Sequence, residues 1–357
     1  MTREVLRPPT SAQVARQAGV SRTTVSFVLN GVRNQGISDS TRAKVLATAR
    51  EMGYQPNAAA RSLASGTTGT VAMVIPKAAH LYVDVFLAQL VATLNEECHK
   101  FGLKLLIEST DDEGREPGGF LNLVRGRSID GLIIPNQRTS EHEHIRLLQE
   151  AGVPLVYFSS NPNDPNSRQT VGSDTTLAAL MAVNHLIALG RREIAFVSFA
   201  KPEYDSVNDR EVGWRQALEK AGITPDPSWV EYADISAQSG YEATRRLLAR
   251  RVKFTALFAG NDTIAFGAMR ALSEAGLRIP QDVAVVGFDD IPMAPFASPP
   301  LTTMRSDPIG LGRVALQKLM AQMDMGSKSG KEDRIPYEFE PRLIVRESCG
   351  HKLNRQA

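Results

Sequence analysis

Arg22, Thr23, Ser26 and Phe27 gather on one side of a helical wheel drawn through residues 21–30, and Thr24, Val25, Val28 and Leu29 gather on the other. The first side presents a cation, two hydroxyls and an aromatic ring; the second closes onto a core. Such a face suits base edges in a DNA major groove, where guanidinium and hydroxyl groups hydrogen-bond and an aromatic ring can touch a thymine methyl. A second polar set is scattered along the chain. Asn136, Ser159-Ser160, Asn261-Asp262 and Asp289-Asp290 each follow a short apolar run. Amides, hydroxyls and carboxylates in such places can hydrogen-bond a small polar molecule. Asp262 is expected to cap the helix that follows it.

Other chemistry fits less well. GLGRVA, residues 310–315, matches G-x-G-x-x-A, but Asp307-Pro308 precedes it where a dinucleotide loop needs a strand. His142 and His144 flank Glu143 in a helical stretch, and a spacing of two puts them on different faces, unlike a metal pair. Asp289 and Asp290 are adjacent at a strand end, so their carboxyls should point apart rather than act together. No nucleophile elbow, Walker loop or H-E-x-x-H is present. The chain is expected to be no enzyme and to need no metal or cofactor.

The base-reading face must be positioned by a helix-turn-helix. Thr10 and Gln13 form a T-x-x-Q capping box for a first helix, and Gly19 breaks it. Ser21 caps the second helix, which Asn30-Gly31 ends. Ser38 caps a third, with Val45, Leu46, Ala49 and Met52 as its apolar stripe and Gly53 as its stop. After Pro56, Asn57 can cap a short helix running to about Ala64, a segment short enough to form only against a partner. Leu63 in it would be an apolar wedge for the minor groove.

From Thr70 the pattern changes. Apolar runs at 71–75, 103–107, 131–134, 155–158, 194–199, 256–259 and 283–288 alternate with helical stretches at 85–101, 141–151, 175–189, 210–221, 239–250 and 262–275. Strands of this kind, separated by amphipathic helices, make parallel sheets covered on both faces. The number of strands suits two doubly wound lobes with a cleft between them. The fold class is therefore α/β: a three-helix DNA-binding head (8–56), a hinge helix and linker (57–69), a two-lobed core (70–347) and a tail (348–357). Within the core, the first lobe takes about 70–170 plus 301–325, and the second about 171–298 plus 330–347.

Bulk properties agree. The chain carries 357 residues and a net charge of +2, but residues 1–66 hold nine Lys/Arg against three acids. A basic head on a mildly acidic body fits phosphate binding by the head alone. MTREVLRPPT lacks the apolar segment of a signal peptide, no run is long enough to span a membrane, and Cys98 and Cys349 have no metal or redox spacing. A cytoplasmic protein without membrane partners is expected. A solute-binding protein would share the body but not the basic head.

QVARQAGVSRTTVSFVLNG, TRAKVLATAREMGYQPNAAARSLASG, GNDTIAFGAMRAL, VAVVGFDD, PPLTTMRSD and LIVRES occur in this order over nearly the whole chain. In this the chain resembles the lactose repressor family of bacterial transcription regulators. The resemblance implies a homodimer on double-stranded, palindromic operator DNA, and a body like periplasmic sugar-binding proteins in which a small effector controls the hinge helices. Arg22 and Thr23 match base-reading positions; Phe27 stands where many relatives have arginine. Thr10, Ser21, Ser26, Asn30 and Asn57 complete the DNA-contacting set, with Leu63 at the wedge position and Ala60 a turn before it. Arg210, three residues before Gly213-Trp214, matches the effector-binding arginine, and Asn261 and Asp289 match effector contacts. Phe86 joins them. Ser159, Ile235 and Ser306 depart from the family's usual residues at their positions, and the loop 77–85 is longer than usual. The tail after Ser348 has no heptads, so a dimer is expected rather than a tetramer. Repression is expected, with induction and corepression both open.

Overall fold

The computed structural model describes residues 9–32, 35–55, 62, 66–110, 119–159, 168–323 and 339–351. The chain divides into two units, residues 1–69 and 70–357.

The first unit contains α1 (Ser11–Ala18), α2 (Arg22–Leu29) and α3 (Asp39–Glu51). Each start is set by a side-chain cap. The Thr10 N–H donates to Gln13 Oε1 at 2.7 Å, and Thr10 Oγ1 accepts from the Gln13 N–H, so the capping box is complete. Ser21 and Ser38 accept the Thr24 and Thr41 N–H groups. Gly19, at φ 68°, ends α1 in the left-handed region that glycine adopts at no steric cost. Seven buried side chains, Val14, Val25 and Val45 among them, form the core. With so few, caps worth about 1 kcal/mol each are a substantial share of its stability. Leu46, expected in the apolar stripe, is 44% exposed instead, because the buried face of α3 runs through Val45, Thr48 and Ala49. Thr24 is only half-buried, since its hydroxyl turns to Ser21 Oγ at the surface.

The second unit holds two sheets. The first is built from β1 (Thr70–Ile75), β2 (Lys104–Ser109), β3 (Gly131–Ile134), β4 (Leu155–Phe158) and β5 (Thr170–Val171), all parallel, in the order β2-β1-β3-β4-β5. The second takes β6 (Ile194–Ser198), β7 (Val230–Tyr232), β8 (Ala256–Ala259), β9 (Ala284–Asp289), β10 (Thr302–Arg305) and β11 (Arg342–Ile344), in the order β11-β10-β9-β8-β6-β7. Only β11 is antiparallel to its neighbour. Counted from its own first strand, each sheet has the order 2-1-3-4-5, extended in the second by antiparallel β11 as a sixth, and so has its switch point beside that first strand.

The helices covering the sheets are α4 (His80–Val83), α5 (Val85–Lys100), α6 (Leu121–Arg125), α7 (His142–Glu150), α8 (Thr175–Ala188), α9 (Asp205–Lys220), α10 (Ala237–Ala249), α11 (Asp262–Glu274) and α12 (Pro308–Gln322). The α10–α11 pair packs closely because Gly267 has no side chain: a Cβ there would lie 1.9 Å from the Ala237 carbonyl oxygen.

Three expectations change. Residues 302–305 belong to the second sheet, not the first lobe; only α12 returns, and Leu311, Val314, Leu316 and Leu319 pack on Val71, Met73 and Ile75. GLGRVA, already judged a poor dinucleotide loop, lies inside α12. Asn261, not Asp262, caps α11 through its Oδ1 and the Ile264 N–H at 2.8 Å. Ser348 and Cys349 are buried, with Ser348 Oγ donating to the Val285 carbonyl at 2.7 Å, so these residues are core rather than tail. The short strands β5, β7, β10 and β11 escape a reading based on long apolar runs.

Candidate functional site

On α2, Arg22, Thr23 and Ser26 are exposed, Phe27 is half-buried and Asn30 is exposed beside them. Asn30 Nδ2 donates to Ser26 Oγ at 3.2 Å and ties the two into one polar edge. Thr10 and Ser21, already used as caps, stand at the N-termini of α1 and α2, where free N–H groups favour an anion. Asn57, Ala60 and Leu63 lie outside the described residues.

The second candidate site is a cavity of about 300 Å³ between the two sheets. It opens where the switch points require. Pro76, Pro135 and Asn136 follow β1 and β3, while Phe199 and Asn261 follow β6 and β8, and all of them line it. Phe86, Ser159, Arg210, Ile235, Asn261, Asp289 and Ser306 all lie on its wall.

Arg210 is the centre of the charge arrangement. Its guanidinium lies 4.5 Å from the Phe199 ring centre and 3.8 Å from that of Phe288. It donates to the Gly260 carbonyl and stands 4.0 Å from Asp289 Oδ1. Its Nε is buried without a hydrogen-bond partner. Burial disfavours the charge on Arg210, and Asp289 acts against that. Burial likewise raises the Asp289 pKa, against the pull of Arg210 and the 3.0 Å hydrogen bond from Ser306 Oγ. Asp289 is held at φ 106° and Ile235 at φ 59°. For non-glycine residues such conformations cost on the order of 1–3 kcal/mol each, and both of these line the cavity.

The adjacent carboxyls part as expected. Asp290 is bound by Arg305 at 2.7 Å and Arg346 at 2.6 Å, away from the cavity. Asp262 accepts from Thr303 Oγ1 at 2.6 Å and from the Ile291 N–H at 2.8 Å, joining α11 to β10 and to the loop after β9.

Sequence reasoning missed the wall formed by the long loop. There the chain makes α4, and its end brings His80 and Asp84 to the cavity. Three cross-lobe links flank them: Lys77 Nζ to Asp234 at 3.1 Å, Gln137 Nε2 to Asp205 at 2.8 Å, and Arg138 to the Tyr204 hydroxyl at 3.1 Å. A signal was present, since Asp84 precedes an apolar helical run and caps α5 through the Leu87 N–H.

Burial, with Asp289 nearby, pushes Asp84 up to about 7. The folded chain then binds this proton more tightly than the unfolded chain, whose aspartate titrates near 3.8. The Asp84 contribution to stability is therefore greatest below that value and falls as pH rises to about 7. Asp84→Asn is expected to flatten this decline, gaining stability relative to the natural chain by up to about 4 kcal/mol at neutral pH, an upper bound. Denaturant unfolding of both chains across this range checks it; parallel curves would refute it.

Among the described residues no helix is long and apolar enough to cross a membrane. A helix-turn-helix followed by two doubly wound sheets with a cleft at their carboxyl ends defines the class: a DNA-binding module joined to a two-lobed core with a cleft of the kind that suits small ligands. Known proteins agree. The model of bacterial regulatory proteins of the lacI family matches residues 12–57, and that of the periplasmic binding protein-like domain matches 183–349. The transcriptional repressor PurR of Glaesserella parasuis serovar 5 is 31% identical over 348 residues, covering 95% of this chain and 98% of the relative. That of Photobacterium profundum is 30% identical over 339 residues, with the same coverage. Among solved structures, the lac repressor dimer bound to operator and the anti-inducer ONPF has a TM-score of 0.79 at 28% identity, covering 96% of this chain and 99% of the other. The complex of the regulator CelR with cellobiose has a TM-score of 0.67 at 31% identity, covering 95% and 99%. The chain belongs to the lacI family of bacterial regulatory proteins. It is a helix-turn-helix transcriptional regulator and not an enzyme.

Proposed function

We propose that the protein represses transcription as a cytoplasmic homodimer on a palindromic operator, under control of a small polar effector in the cleft. The observation that carries this is the pairing of an exposed base-reading face on α2 with a lined cavity at both switch points of the core. Arg22, Thr23, Ser26 and Phe27 read the major groove. Thr10, Ser21, Asn30 and Asn57 fix the head on phosphates, which position the protein but carry no sequence information. Residues 57–69 act as hinge, with Ala60 and Leu63 at the minor groove. Phe86, Ser159, Arg210, Ile235, Asn261, Asp289 and Ser306 hold the effector. It acts only as far as it prefers one lobe arrangement over another, and the Lys77, Gln137 and Arg138 links belong to the arrangement seen here.

The test is selection of bound duplexes from random DNA by the purified protein. Enrichment of one palindrome of about 14–20 base pairs with a deformable centre supports the reading. Bound duplexes without shared symmetry refute it. Leu63→Ala is expected to weaken binding to the selected operator by about 100-fold while changing non-specific binding little, because a wedge repays only on DNA that kinks. Equal losses on both, in a filter-binding titration, would remove the wedge.

A further inference from the structure

The charges around the cavity are uneven. Asp84, Asp205, Asp209 and Asp289 line it, and among the described residues Arg210 is the one arginine or lysine that does so. Arg210 is already engaged by Asp289, the Gly260 carbonyl and two aromatic rings. Asp205 is engaged by Gln137 and by His142. Asp84 differs. Its partners are the backbone N–H groups of Leu87 and Phe86, and among the described residues no cation forms an ion pair with it. Asp289 opposes its charge more than Arg210 supports it.

A separate observation points to a ligand at the same wall. His80, one turn before Asp84, is 5% exposed, and neither ring nitrogen makes a hydrogen bond. Nε2 stands 3.4 Å from Asp234 Oδ1 without the alignment of a bond. Burial keeps this ring neutral more than Asp234 favours its charge. A neutral imidazole has one donor and one acceptor, and unsatisfied polar atoms at a cavity wall are costly until something meets them. Phe86 and Phe158 lie on the same cavity, and aromatic walls favour a cation over an anion.

We propose that the cleft takes an effector bearing a basic nitrogen, with Asp84 as its counter-ion and His80 as a second hydrogen-bonding partner. This deepens the effector-controlled reading and rests on it. Asp84 and His80 are then specificity-determining residues supplied by the long loop, and an ionised phosphate or carboxylate facing Asp84 is disfavoured by like charge.

Two sets of compounds, each alike in size and differing in charge, test this on the full-length protein: putrescine, butanediol and succinate; glucosamine, glucose and gluconate. Binding is measured by calorimetry for the natural chain and for Asp84→Asn, whose amide oxygen still accepts the Leu87 N–H and keeps the α5 cap. In at least one set the amine should bind about tenfold or more tightly than its neutral and anionic counterparts, and Asp84→Asn should remove that preference. Three results would each overturn the proposal: in both sets a neutral or anionic member binding as tightly as the amine, an amine preference that survives in Asp84→Asn, or no saturable amine binding in either set up to about 10 mM. Operator selection on the same protein separates the two readings. Loss of selection sinks the regulator mechanism, whereas intact selection answered by a neutral or anionic effector sinks only the cationic one.

Discussion

Arg210→Ala is expected to keep its operator affinity and to answer the effector only at far higher concentrations. The guanidinium is buried between two aromatic rings, holds the Gly260 carbonyl and faces Asp289, with its Nε still free for a ligand. Removing it takes away a charged hydrogen bond worth about 1.5–3 kcal/mol to the ligand and leaves the Asp289 carboxylate without its cation. The expected loss of effector affinity is at least about 100-fold. Arg210→Lys should recover part of it, since it restores the charge but not the planar fork. Effector titrations of the operator complex measure this. An unchanged midpoint in Arg210→Ala would place the effector elsewhere.

Arg22→Ala should both weaken operator binding and broaden the operator. Arg22 is the first residue of α2, exposed, with Ser21 holding the helix start in place behind it. A bidentate contact to one base contributes about 1–3 kcal/mol of discrimination, and a dimer makes it twice. Repeating the duplex selection with the variant should flatten one symmetry-related position in each half-site and leave the rest. A uniform loss with every preference intact would reassign Arg22 to a phosphate.

The head was the most legible part of the sequence, because caps and helical period are local. Thr10, Gln13, Ser21 and Ser38 do in the structure what their spacing requires. The long strands were legible for a related reason: a strand buried on both faces is apolar throughout. Residues 302–305 were not, because Thr302 and Thr303 are buried polar residues satisfied by Ser348, Arg346 and Asp262, and those partners are distant in sequence. Asn261 and Asp262 were exchanged as cap and core since either side chain can cap. Their roles are decided by Thr303 and the Ile291 N–H, which the chain order does not reveal. Much of the cleft wall could be found from strand ends. Asp84 could be marked only as a helix cap and His80 not at all, since they reach the cavity from the loop between β1 and α5, whose path depends on contacts with the other lobe.

The path of the chain through the two sheets also bears on how the protein is made. The first lobe lacks α12 until the ribosome has produced the whole of the second sheet's parallel strands, because α12 follows β10. Leu311, Val314, Leu316 and Leu319 are a large part of the core beneath β1 and α5, so the nascent first lobe waits with that apolar face uncovered. The usual order, in which the part made earlier completes itself first, is closed to the two lobes. A ribosome stalled before Pro308 would carry a chain that can finish its small head and assemble much of its second sheet, yet must present β1 and α5 to chaperones.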